Sequence, residues 1–166
     1  MLIYHPAYDA YHCVFRMLSI LSVIPSLEYD KARLLDFYLT FPSAVQKITL
    51  PKTLSHGKRT AKKFENIYHD PFDPFLIFKD MRAIQISAIG CLVASGIVDR
   101  SSYAEGIISR TNVKLPKSLE TRISVFFESR PEIGDFILQD LAILPLRGIN
   151  GLKHRTGLLE YKYDIS

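Results

Sequence analysis

A mainly α-helical fold with a small β-hairpin or sheet is predicted by three observations. Apolar residues recur at three- and four-residue steps through most of the chain, and proline and glycine fall between these segments. Two short β-prone runs follow closely on Gly96. At 166 residues, 48% hydrophobic and 23% charged, the chain is long enough for one well-packed domain and has a globular composition. It contains no low-complexity tract or internal repeat.

The first element is an amphipathic helix over about residues 6–23, with Val14, Phe15, Leu18 and Leu21 on its apolar stripe and Pro25 preventing its continuation. Ser26 is a candidate N-cap for a second helix, in which Leu27, Leu34, Tyr38 and Phe41 share a face and Pro42 marks the end. Residues 60–68 form a short third helix, with Lys62, Lys63 and Glu65 outward and Phe64 and Ile67 inward. Asp73 followed by Pro74 is a strong helix start, because the carboxylate accepts an early amide where proline offers none. From there Ile77, Met81, Ile84, Ala88 and Leu92 carry one helix to Ser95, and Gly96 supplies the left-handed terminus.

Ile97-Val98 and Gly106-Ile107-Ile108 then read as two strands joined by a polar loop over residues 99–105. Helix, glycine, strand, loop and strand outline a winged-helix unit. Ser118 caps a helix through Leu119, Ile123 and Phe126, and Pro131 opens a second through Ile133, Phe136, Ile137 and Leu144. Leu159, Tyr161 and Tyr163 alternate with polar residues like a terminal strand. The expected organisation is a single domain, 1–166. An N-terminal helix (1–25) precedes a winged-helix-like core (about 26–112), and a helical hairpin with a terminal strand (113–166) follows it.

Cys13 and Cys91 lie in apolar helical patterns without CxxC spacing and read as buried thiols of a reducing compartment. The first six residues lack the charged and apolar regions of a secretory signal. The uncharged run 83–98 falls short of the roughly 20 apolar residues of a membrane span. A cytoplasmic protein with no membrane contact is expected.

Charge is unevenly spread. No acidic residue occurs between positions 36 and 65, where Lys47, Lys52, His56, Lys58, Arg59, Lys62 and Lys63 lie. Six of these seven are full charges in a chain whose net charge is +4, so the remainder is net negative by two. Double-stranded DNA or an acidic protein surface is the natural counter-charge for Lys47, Lys52, Lys58, Arg59, Lys62 and Lys63, and a solvated basic loop is the plain alternative.

Catalytic motifs are sparse. Gly57-Lys58-Arg59-Thr60 fails as a phosphate loop, since Lys52 stands at the upstream glycine position and Arg59 replaces the hydroxyl residue. His5, Asp9 and His12 would share a face of a continuous helix, but no fourth ligand has clear spacing, and capping explains such residues near a helix start. His69, Asp70 and Asp73 form a second polar knot, interleaved with Pro71, Phe72, Pro74 and Phe75 in what reads as a rigid turn with its aromatics packed inward. No serine sits in a nucleophile-elbow pattern. An enzyme would require the two His/Asp knots to converge in space.

The string Tyr4-His5-Pro6-Ala7-Tyr8-Asp9-Ala10-Tyr11-His12, continuing through Phe15, Arg16 and Leu18, is followed by Leu34-Leu35-Asp36-Phe37-Tyr38 up to Phe41-Pro42. Then comes Met81-Arg82-Ala83-Ile84-Gln85, leading to Gly96-Ile97-Val98-Asp99. In this order the runs resemble the middle component (type five) of ABC-three-component systems, over about residues 4–110. The resemblance implies a small non-catalytic adaptor, without cofactor or metal, encoded beside an SMC-like or ABC ATPase and a variable effector for which a nuclease is one candidate. The setting it implies is a prokaryotic anti-phage or anti-plasmid system similar to Lamassu-type defence, with winged-helix adaptors seated on an ATPase or its coiled coil. His5, Asp9 and His12 would then be structural staples or interface groups.

The competing reading is a stand-alone winged-helix DNA-binding regulator, with the helix ending at Ser95 as reader and residues 99–105 as wing. Against it, that helix offers only Gln85, Ser87 and Ser95 as polar side chains after Arg82, too few for a major-groove reader.

Overall fold

A computed structural model of the chain describes residues 5–160. It is mainly helical with a two-stranded antiparallel sheet, as the periodicity predicts. The N-terminal segment is not one continuous helix. A 3-10 turn, Pro6–Tyr8, precedes helix α1, Ala10–Val23, with Asp9 extended between them as the cap of α1. The α1 stripe of Cys13, Met17, Leu18, Ile20 and Leu21 is buried.

Ser26 does not cap a helix. Ser26–Glu28 is strand β1, and helix α2, Tyr29–Thr40, follows with Glu28 at its cap. The partner of β1 is strand β2, Ile107–Ser109, in the register Ser26↔Ser109, Leu27↔Ile108 and Glu28↔Ile107. Leu27 and Ile108 are both buried, and the Ser26 and Ser109 hydroxyls lie 2.7 Å apart. No local pattern announces a pairing across some eighty residues, so the helical spacing of Leu27 with Leu34 misleads.

After α2 the basic stretch is ordered into 3-10 turns Pro42–Lys47 and Lys52–Leu54 and helix α3, His56–Lys62. The helix lies earlier than the sequence suggests. Phe64 is half-buried as expected, but Ile67 is 87% exposed, because the chain turns back through Asn66 instead of continuing the helix. Asp73 caps helix α4, Pro74–Asp80, by accepting from the amides of Phe75 and Leu76. Met81 separates α4 from helix α5, Arg82–Ala94, so the predicted single helix is two. Its apolar stripe holds nevertheless: Met81, Ala88 and Leu92 are buried. Gly96 has φ 75°, the left-handed end expected of it. Cys13 is buried, but Cys91, on the outer face of α5, is exposed.

The expected hairpin takes another form. Val98 makes a single bridge to Arg110, while residues 99–105, expected as an open wing, hold helix α6, Arg100–Ala104, capped by Asp99 through the Ser102 amide at 2.8 Å. Helix α7, Lys117–Glu128, starts after Pro116, one residue before the predicted cap Ser118. Pro131 opens helix α8, Pro131–Asp135, as predicted, and α8 widens into a π-helical segment, Phe136–Leu141, that ends short of Leu144. Helix α9, Leu152–Thr156, stops at Gly157 with φ 66°. The strand expected through Tyr161 and Tyr163 lies outside the described residues.

The buried apolar side chains form one cluster running from Ala7 to Leu158. At its centre α1 packs chiefly on α5 and next on α2. Long-range hydrogen bonds fasten the later elements to the earlier ones: Lys31 Nζ donates to Ala142 O, Arg130 Nη1 to Leu39 O, and Arg155 Nη1 to Thr49 O. Among the described residues no helix is long and apolar enough to cross a membrane.

Candidate functional site

Where α1, α2 and α5 meet, the core is charged. Asp36 of α2 is fully buried and accepts from Arg16 Nε at 2.6 Å, Arg16 Nη2 at 3.4 Å and Gln85 Nε2 at 2.9 Å, with the Cys13 thiol 3.7 Å away. Gln85 of α5 is also fully buried. Its carbonyl oxygen accepts from Arg33 Nε, and its amide nitrogen donates to Arg33 O as well as to Asp36. Arg33 lies over the Phe78 ring, 4.6 Å from its centroid, and reaches Asp30.

Burial opposes charge on Arg16, but the adjacent Asp36 carboxylate overrides it and holds the guanidinium above its ordinary pKa. Burial, reinforced by Asp36, pushes the Cys13 thiol up, so it stays protonated and unreactive. Every member of the cluster is bonded to another, as buried charge requires. The arrangement clamps three helices and leaves no open position for a substrate. Sequence reading passed over Arg16 and Asp36, although a charge inside each of two apolar runs, Val14 to Leu18 and Leu34 to Tyr38, is a signal for a buried pair. It also took Gln85 for a surface group. Gln85 thus lies in the core, and residues 100–104 are helical where the regulator reading placed a wing.

His5, Asp9 and His12 do not share a helical face. His5 Nδ1 accepts from the Ala7 amide and caps the 3-10 turn, while Asp9 accepts from the His12 amide at 3.0 Å and lies 3.3 Å from His12 Nδ1. The His5 ring stacks on Phe41 at 5.2 Å, and its pKa is lowered chiefly by burial. The structure therefore gives His5 and Asp9 capping roles.

The two polar knots meet in part. The rings of His5 and His69 lie 5.5 Å apart at a cleft of about 300 Å³ that also takes in Asp70 and Arg130. Three of these groups are committed to the fold: His5 Nδ1 accepts from the Ala7 amide at 3.1 Å, Asp70 accepts from the Asn66 amide at 2.8 Å, and Arg130 Nη1 donates to Leu39 O at 2.7 Å. No group of three or more His, Cys, Asp or Glu among the described residues is arranged to hold a metal.

Lys47, Lys52, Lys58, Arg59, Lys62 and Lys63 are all exposed. Their isolation from acid in the sequence is not kept in space. Lys63 Nζ meets Glu132 of α8 at 2.8 Å, and His56 Nε2 lies 3.4 Å from Asp140. Gly57 explains the close approach, since a Cβ there would stand 2.1 Å from Cζ of Phe136, whose ring occupies that space. The other five cations make no ion pair among the described residues.

Beyond α3, residues 66–76 reverse the sequence expectation. The Asp70 amide donates to Asn66 O at 2.7 Å, the Tyr68 amide to Asn66 Oδ1 at 3.0 Å, and Asp73 caps α4, so the segment is a hydrogen-bonded turn. The apolar side chains, however, point outward. Phe72 is fully exposed, Ile67 and Tyr68 are each 87% exposed, and Phe75 and Leu76 are about half exposed.

One family model matches the chain, over residues 2–164: the ABC-three component (ABC-3C) system Middle Component 5. No curated protein and no solved structure matches it.

Proposed function

The chain belongs to the Middle Component 5 family of ABC-three component systems, and on that premise we propose that it is a non-catalytic adaptor. It joins an SMC-like or ABC ATPase to an effector in a prokaryotic defence complex, with its basic segment turned toward double-stranded DNA or an acidic subunit surface. The observation that carries this reading is the family match over nearly the whole chain, residues 2–164. The use of its polar core supports it. Asp36, Arg16, Gln85, His5 and Asp9 are all committed to joining or capping helices, which suits a scaffold more than a reaction site. Exposed apolar and basic groups lie on one continuous stretch, residues 47–76, and provide the contact chemistry an adaptor needs.

The test is co-expression with the products of the neighbouring genes and purification through a tag on this chain, with and without double-stranded DNA. A defined assembly containing an ATPase is expected. A chain that purifies alone at moderate salt overturns the reading.

A further inference from the structure

We propose that Lys52, Lys58, Arg59 and Lys62 form a contact surface for the phosphates of a nucleic-acid duplex, held without regard to base sequence. From residue 41 to residue 64 every exposed residue is a lysine, an arginine, a histidine, a serine or a threonine. No acidic, apolar or aromatic residue of that stretch is exposed. The fold then sorts the cations. Lys63 faces Glu132, His56 faces Asp140, and Lys47 borders a cleft that Glu65 and Asp70 also line, so these three form the rim. Lys52, Lys58, Arg59 and Lys62 make no ion pair among the described residues.

The four are placed together. Lys58, Arg59 and Lys62 share the outer face of α3, opposite the buried Gly57 and Ala61. Lys52 stands one short turn before that helix, and three residues earlier Thr49 is clamped to α9: Arg155 Nη1 donates to Thr49 O at 2.7 Å, and Arg155 O accepts from the Thr49 amide at 3.0 Å. A fifth cation thus adjoins the group. This excess of positive charge calls for a polyanion, and the exposed chemistry says which. A protein partner meets apolar groups at the centre of its contact, and a single strand stacks its bases on aromatic rings. Neither kind of group is exposed here. Gln46, the one amide side chain of the stretch, is half-buried and bonded to Glu65, so no Asn or Gln is offered to base edges. The remaining ammonium, guanidinium and hydroxyl donors suit duplex phosphates.

This inference rests on the reading of the basic segment as an anion contact and narrows its partner to a duplex. Co-purification tests the adaptor, whereas binding by the isolated chain tests this surface, so each can fail alone. Fluorescence anisotropy of the purified full chain is measured on labelled DNA duplexes of two unrelated sequences and on an RNA duplex of the same length. Wild type is compared with K52Q/K62Q and with K79Q/R82Q, and thermal melts confirm that each variant is folded. Lys79 and Arg82 also make no ion pair among the described residues, so the second variant removes the same net charge from outside the segment. Both DNA sequences are expected to bind alike, with a slope of log affinity against log salt of about −4 that K52Q/K62Q reduces in magnitude by about 2 and K79Q/R82Q leaves unchanged. Tighter binding of the RNA duplex with the same variant pattern supports the surface and identifies RNA as the source of the phosphates. Absence of duplex binding at low salt overturns the proposal. So do binding of poly-L-glutamate in place of a duplex, a preference of more than about tenfold for one DNA sequence, and equal losses from the two variants.

Discussion

Asp36 is the residue on which three helices depend. Replacing its carboxylate by an amide in Asp36→Asn leaves the Arg16 guanidinium, 4% exposed, without a counter-charge. The expected cost is about 3–5 kcal/mol of folding stability, read as a shift in the urea midpoint. Removing both charges together, as R16M/D36L, should cost less than Asp36→Asn alone, because no orphaned ion remains in the core. A double variant at least as unstable as the single one would mean that shape, not charge pairing, dominates the site. The sequence contains the signal for this pair, a lone charge inside each of two apolar runs, but not its geometry. Which of Arg16, Arg33 and Gln85 reaches Asp36 depends on how α1, α2 and α5 cross.

At the scale of elements, α3 and the π-helical segment are held together by an absence. Gly57 has no Cβ, and the Phe136 ring fills its place. Gly57→Ala should therefore destabilise by about 1–3 kcal/mol through overpacking, and Phe136→Leu in the same chain should recover part of the loss. Additive losses from the two changes would show that the ring does not rest on that glycine. Elements defined by local chemistry were legible in the sequence: Asp73 with Pro74 starts α4, Gly96 ends α5, and Pro131 opens α8. Those defined by distant partners were not. Ser26 has the side chain of a cap, yet its backbone pairs with Ser109, and Ile67 has the side chain of a core residue on a turn that faces it outward.

For the whole molecule, the basic stretch was legible as composition but not as a surface, because folding brings Glu132 and Asp140 against it from more than sixty residues away. Lys58, Arg59 and Lys62 remain open, and Lys63 is shared with Glu132 in an exposed pair of small energetic weight. If this face meets DNA, changing Lys58, Arg59, Lys62 and Lys63 to Gln should lower the slope of log affinity against log salt by about 2–3. Arg100→Gln, on the helix that replaces the wing, should leave the slope unchanged. The opposite order, measured by fluorescence anisotropy on a double-stranded oligonucleotide, moves the contact to α6.

The pairing of β1 with β2 has a consequence for how the chain is made. Ser26–Glu28 leaves the ribosome some eighty residues before Ile107–Ser109, and Asp36 precedes Gln85 by 49 positions. At typical elongation rates Leu27 waits on the order of ten seconds for Ile108. During synthesis the N-terminal third is thus a pair of nascent helices with an unsatisfied strand and a half-paired carboxylate, and it depends on the later half of its own chain to become a folded protein.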